Sequence, residues 1–196
     1  MNDRMFFKTR LYCTGIATIA IGSLLIWNHY HGGVPSHHIL AREDLPEISN
    51  WWGALLIPFL TWFLLYRIQI KFNDTKHEKS QKSKLFKHIF YGFIGALSFG
   101  ILLSLFFTLG YTEIPGYMLI GVFILALFFP IYKAECILGF VIGMTYTFGA
   151  VLPTGVGSLL ALFGMVLYLG IRPVALYITT QVLHFATSNL SKPNGK

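Results

Sequence analysis

The sequence predicts an all-α integral membrane protein, a bundle of six transmembrane helices with the N- and C-termini in the cytoplasm. Three observations lead there. Of the 196 residues, 55% are hydrophobic and only 12% are charged, whereas a soluble domain carries about 25% charged residues. The mean hydropathy is +0.62. Six apolar runs of crossing length follow one another, each near the roughly 17–25 residues that a bilayer core needs. When these runs are threaded alternately, Arg42 is the one member of the 15 Lys and Arg residues that falls outside. That asymmetry is the pattern expected when basic residues collect on the cytoplasmic side. A chain this apolar would expose large greasy patches in water, which excludes an ordinary soluble domain.

The first run covers Leu11 to Trp27 and follows Arg4, Lys8 and Arg10. Basic residues before an apolar stretch also describe a signal peptide. This run is longer than such a segment needs and has no small-x-small cleavage site, and Tyr12 precedes Cys13 where a lipoprotein box needs a small residue. A retained helix is expected. An outer loop over 28–50 follows. The second run covers Asn50 to Ile70, with a start expected near Leu45. Asp44-Leu45-Pro46-Glu47 reads as a capping box, Asp44 as N-cap and Glu47 reaching back, with Pro46 tolerated in the first turn. Trp51 and Trp52 suit the aromatic belt at the membrane surface.

A basic cytoplasmic loop over 71–88 carries Lys71, Lys76, Lys79, Lys82, Lys84 and Lys87. The third run is Ile89 to Tyr111, the fourth Tyr117 to Tyr132, the fifth Cys136 to Pro153, and the sixth Gly155 to at least Gly170. The links at Thr112–Gly116, Lys133–Glu135 and Thr154 are tight, so their helices must be antiparallel neighbours. Lys133 and Glu135 are expected among headgroups, and Arg172 before Pro173 at a helix end as a snorkelling cation. The C-terminal amphipathic tail spans 173–196. Within it, 174–190 reads as an interfacial helix, because a seventh crossing would carry Lys192 and Lys196 outside. Cys13 and Cys136 fall at cytoplasmic helix ends and are expected as thiols. The whole, 1–196, reads as a single polytopic membrane domain without an internal repeat.

Small residues recur every four positions: Gly92, Ala96, Gly100, Ser104 and Thr108 on the third helix, Thr14, Thr18 and Gly22 on the first, Gly139, Gly143 and Thr147 on the fifth, Gly157, Ala161 and then Gly164 on the sixth. Close packing of helices needs such small-xxx-small ridges, because lipid tails do not drive apolar helices together. A second use of a ridge is a groove for lipid, cofactor or a partner helix.

No Asp, Glu, Lys, Arg or His lies near the centre of a span. Such groups mark proton relays and ion pathways, so a proton-coupled transporter is disfavoured. The interior polar groups are hydroxyls, at Thr61, Ser98, Ser104, Thr108, Thr145, Tyr146, Thr147 and Ser158. They are expected to bond within the bundle or to line a path for a neutral solute.

The outer loop holds the chemical candidates. His29, His31, His37 and His38 fall close together, with Glu43, Asp44 and Glu47 after them. Imidazole ligates most divalent transition metals, and a catalytic zinc needs three protein ligands and an open position. The four histidines are the metal candidates. His37, His38, Glu43 and Asp44 are the catalytic candidates. In an extended chain His29 and His31 would share one side. No HExxH motif is present. The same histidines would gain charge near pH 6.5.

Three functions follow from these features. The first is a transporter or channel for a small neutral solute. The second is a membrane enzyme with a His/carboxylate site, metal-bearing or not, in the outer loop. The third is an accessory or assembly subunit docking through the third helix, as a homo-oligomer or in a membrane complex. Anionic lipid is the expected partner of the basic inner loop. Nucleic acid is not, because no aromatic interleaving or binding signature accompanies the charge. The expected location is a cytoplasmic-type inner membrane.

Overall fold

A computed structural model describes residues 3–34, 36–38, 47–74, 79–111 and 113–190. Among the described residues the regular structure is helical apart from one small ladder. Its elements are α1 (Asp3–Tyr30), strands β1 (Ser36–His38) and β2 (Glu47–Ser49), a 3-10 turn (Asn50–Trp52), α2 (Gly53–Asp74), α3 (Lys79–Thr108), α4 (Glu113–Phe128), α5 (Ala134–Phe148), α6 (Val151–Val166), a π turn (Leu167–Ile171) and α7 (Arg172–Leu190). Four helical stretches are long and apolar enough to cross a membrane, while α4 and α5 are shorter apolar helices. At 1.5 Å per residue α5 extends only about 22 Å.

Several boundaries depart from the sequence-based expectations, each for a local reason. The second helix starts at Gly53, not near Leu45, and Asp44-Leu45-Pro46-Glu47 is not its capping box. Glu47 instead enters β2, where the ladder pairs Ser36 with Ser49, His37 with Ile48 and His38 with Glu47. The start signal is Ser49, whose Oγ accepts the Trp51 N–H at 3.3 Å and caps the 3-10 turn. Asp44 itself lies outside the described residues. The outer connection is shorter than 28–50, because α1 continues through Tyr30. The basic loop 71–88 is mostly helix: α2 runs to Asp74 and α3 begins at Lys79. Pro130 moves the link between α4 and α5 upstream, since proline cannot continue a helix, and the chain turns over 129–133.

The turn between α5 and α6 falls at Gly149–Ala150 rather than at Thr154. Gly149 has φ +69° and ψ −171°, a positive-φ conformation open essentially to glycine alone, and it stops the helix. A Cβ there would collide with the Asn50 side chain, so the loop leading into α2 is seated on this turn.

Arg172 and Pro173 do not end the last helix. The preceding turn widens into π geometry, and the Arg172 N–H donates to the Leu167 carbonyl five residues back. A π turn gives the chain room to absorb the proline ring, and such turns mark hinges. The tail therefore continues from α6 as α7, with residues 173–183 exposed all round.

The centre of the fold is α5. Glu135, Leu138, Gly139, Phe140, Val141, Gly143 and Met144 are all buried on it. Its closest neighbour is α3. A Cβ added at Gly143 would stand 2.6 Å from the Leu97 carbonyl, one at Gly100 would stand 2.8 Å from the Phe140 carbonyl, and one at Gly139 would collide with the Phe93 carbonyl. The two backbones are thus in contact, and the α3 ridge is occupied by α5 along Gly92 to Gly100. Gly157 of α6 meets Phe140, and Gly164 meets Ile131. The α1 ridge behaves differently: Gly22 has open space around it and Thr18 is exposed. There the buried residues are the larger Ile21 and Leu25, which join Ile57, Leu103, Phe140, Val141, Met144 and Ala150 in one core.

The outward surface is apolar. Phe59 at 65% exposure, Ile124 at 59% and Leu162 at 53% are typical. In water this exterior would be a liability, whereas hydrocarbon solvates it.

Candidate functional site

The packing just described leaves an opening. Gly-to-backbone contact locks α3 to α5, and larger side chains pair α1 with α2. The two pairs meet through α2 and α5. Between α1 and α3 lies a cleft of about 660 Å³, within the range of about 300–1,000 Å³ typical of ligand sites. Its floor is buried: Ile57 and Thr61 from α2, Leu138 and Glu135 from α5. Its walls are exposed: Ile16 and Ala20 from α1, Phe86 and Phe90 from α3.

Nearly all the lining is hydrocarbon, so the few polar groups set its chemistry. Glu135 is 3% exposed and its Oε1 lies 3.3 Å from Lys71 Nζ on α2. Lys71 is the more exposed partner. Glu135 therefore sits inside the protein with its charge matched, not among headgroups as expected from its place beside a turn. Thr145 lies deeper along α5, and its hydroxyl donates to the Val141 carbonyl at 2.6 Å. Thr61 is different. It is 3% exposed, and its Oγ1 has no hydrogen-bond partner. Thr18, Thr108, Thr154 and Ser158 all donate to the carbonyl four residues back, as hydroxyls in apolar helices do. The Thr61 hydroxyl makes no such bond, in common with those of Thr14 and Ser104, and its oxygen is closed off from the cleft surface.

Outside the cleft lining, Arg10 of α1 is laid over aromatic rings of α2. Its Cζ is 3.9 Å from the Trp62 centroid and 5.2 Å from that of Tyr66. Flat stacking of a guanidinium on aromatic faces suits a cation at the edge of an apolar phase. A second cavity of about 370 Å³ between α3, α4, α5 and α6 is lined by Gly95, Phe99, Leu125 and Leu160 among others, and none of its lining residues is charged.

The outer histidines are partly placed. His29 lies in the last turn of α1 and His31 just beyond it, so they do not share one side as an extended chain would arrange. Helical residues two apart point to nearly opposite directions. The His31 ring stacks on Trp27 at 3.8 Å, and its Nδ1 is 2.9 Å from the Trp27 carbonyl oxygen. His29 meets the edges of Tyr30 and Trp51. His37 and His38 are placed by the ladder alone, with His38 opposite Glu47. Glu43 and Asp44 lie outside the described residues. Among the described residues, no three His, Cys, Asp or Glu side chains gather as a metal site would require. Cys13 and Cys136 are free thiols.

Sequence reasoning included Thr61 among the interior hydroxyls but gave it no special place. The one available signal was its position three residues after Pro58 on a helix of bulky side chains. The pairing of Lys71 with Glu135, 64 positions apart, had no local signature.

The fold and this cleft together define a helical, multi-pass membrane protein with a side opening in its bundle. No family model, curated protein or solved structure matches the chain.

Proposed function

We propose that this protein is a six-crossing transporter for a small neutral, weakly polar solute, and that the cleft between α1 and α3 is its binding site. The observation that carries this reading is the lining: an apolar cleft of about 660 Å³ in which the one charged residue, Glu135, is already neutralised by Lys71. An ion entering such a site would forfeit its hydration with no counter-charge to meet it. A neutral molecule would exchange one apolar surrounding for another.

In this reading α4 and α5 are the fourth and fifth crossings, in a locally thinned bilayer. Both termini and the Lys-rich segment around 79–87 face the cytoplasm of an inner membrane. Beyond the π turn, α7 bends to lie along the surface.

The test is solute-driven swelling of proteoliposomes, with 1,2-propanediol as a neutral, weakly polar probe. Liposomes bearing the protein should equilibrate several-fold faster than empty ones. Ala20→Trp, which fills the cleft from an exposed wall position, should return the rate to that of empty liposomes. Equal rates with and without protein would reject transport.

A metal-dependent enzyme is the second reading. It is favoured by the ladder that brings His38 opposite Glu47. Elemental analysis should then find about one zinc, copper or iron per chain, lost when His29, His31, His37 and His38 are replaced by Ala. No metal in either sample would reject it.

A further inference from the structure

Outside the cleft, α1 and α2 set a cation on a shelf of aromatic rings. The Arg10 guanidinium lies 3.9 Å from the Trp62 ring centre, 5.2 Å from that of Tyr66 and 5.5 Å from that of Phe7. Phe7 in turn meets Trp62 edge-on at 5.8 Å. Such a shelf takes one face of the planar cation. Its N–H groups point in the plane and need acceptors. Among the described residues Arg10 makes no hydrogen bond and no ion pair. Gln69, one turn past Tyr66, supplies none, since its own Oε1 is unpartnered. Arg10 Nε is closed off while the side chain as a whole is half-buried, so an acceptor must meet the two terminal nitrogens. These helices also lack a counter-charge. From Arg4 to Tyr30 and from Gly53 to Asn73 the sequence contains no Asp or Glu, against Arg4, Lys8, Arg10, Arg67 and Lys71, and Lys71 is held by Glu135.

The depth of the shelf selects the anion. Ile21 touches Gly53 and Phe6 meets Phe72, so the antiparallel pair sets Arg10 level with Leu64, between Trp62 and Tyr66. All of them lie in stretches long and apolar enough to cross a membrane. A dissolved anion would shed its hydration to reach that level, whereas a phospholipid phosphate already sits at the hydrocarbon boundary. Leu55 and Phe59 continue the helix face of Trp62 and Tyr66 into the apolar part of the span. They line a depression of about 580 Å³, a place for an acyl chain.

We propose that Arg10, seated on Trp62, Tyr66 and Phe7, binds the phosphate of one anionic glycerophospholipid in the leaflet around this end of the bundle. Two phosphate oxygens meet the terminal guanidinium nitrogens, and an acyl chain runs along Phe59 and Leu55. A zwitterionic head would bring its ammonium toward Lys8 and Arg67, both exposed and without a nearby carboxylate. The site stands apart from the transport reading, since none of these residues lines the cleft.

The test is native mass spectrometry of the delipidated full-length protein in detergent. It is titrated with 1-palmitoyl-2-oleoyl-phosphatidylglycerol, with phosphatidylcholine of the same chains, and with sn-glycerol 3-phosphate. The first phosphatidylglycerol should bind about tenfold more tightly than phosphatidylcholine, and glycerol phosphate should not displace it. Arg10→Gln should weaken it about tenfold, the size of one charge-assisted hydrogen bond. Arg10→Lys keeps the charge without the planar fork and should still bind several-fold more weakly than the parent. Lys8→Gln lies off the shelf and should stay within about twofold of the parent. Trp62→Leu removes the shelf but keeps Arg10 and should also weaken binding several-fold, a second reading if Arg10→Gln does not fold. Lipid-free melting temperatures separate lost binding from lost folding. Equal affinity for the two lipids, or a first phosphatidylglycerol unaffected by Arg10→Gln or by Trp62→Leu, overturns the site. Arg10→Lys binding as tightly as the parent overturns the bidentate geometry, and displacement by glycerol phosphate overturns the lipid source.

Discussion

Lys71 Nζ lies 3.3 Å from Glu135 Oε1, and this pair ties the last turn of α2 to the first turn of α5. The two partners are unequal, with 38% of the Lys71 side chain exposed against 4% of that of Glu135. The Lys71→Ala variant leaves a buried carboxylate without its cation and should lose about 3 kcal/mol of stability. Glu135→Gln lets the lysine turn to water and should cost only about 1 kcal/mol. Thermal unfolding in detergent checks the order. The reverse order would contradict the assigned burial.

The contact between α3 and α5 is specific to certain glycines. Gly139→Ala places a methyl group against the Phe93 carbonyl and should cost about 2–3 kcal/mol, the usual range for overpacking. Gly121→Ala meets open space on α4 and should be neutral, or stabilising by up to about 1 kcal/mol through helix propensity. Melting temperatures of the two variants, side by side, test whether the seam is where the structure puts it.

At the other end of α5, Gly149 serves two functions. Its positive φ disfavours a side chain, and its missing Cβ leaves room for Asn50. Gly149→Ala should therefore destabilise strongly, by at least about 2 kcal/mol. Adding Asn50→Ala removes the collision and should recover part of the loss. The backbone strain, of about 1–3 kcal/mol, should persist. Full recovery in the double variant would show that sterics alone matter there.

The proposed six-crossing topology makes a sided prediction. In a Cys13→Ser, Cys136→Ala background, Lys84→Cys should react with an impermeant maleimide only after the membrane is opened. Val34→Cys should react in intact cells. Exchange of these two results would invert the topology, and labelling of both from outside would break the crossing count.

Much of the bundle was legible from composition and small-residue spacing. The Gly92–Gly100 and Gly139–Gly143 repeats carry the information that two backbones touch, because nothing else needs glycine at that interval in a helix. Helix ends were read less well. Asp44 and Glu47 mimic a capping box, and only the strand partner Ser36–His38, ten residues upstream, reveals that Glu47 is extended. Pro173 looks like a stop, but a π turn that leaves no mark in the sequence carries the helix past it. The cleft was not legible. It is a consequence of α1 packing on α2 through Ile21 and Leu25 and not through its own ridge, so that α1 stands apart from α3. The histidines were conspicuous in sequence, yet His29 and His31 take up positions beside Trp51 and Trp27.

The most direct measurement of the central claim, a cleft open to the bilayer between α1 and α3, uses Cys13. This thiol lines the cleft and, in a Cys136→Ala background, is the single cysteine. Its alkylation rate by lipid-soluble N-phenylmaleimide in nanodiscs is the quantity to measure, with and without Ala20→Trp. The account predicts ready alkylation that Ala20→Trp slows several-fold by filling the cleft. Equal rates in the two proteins would contradict it.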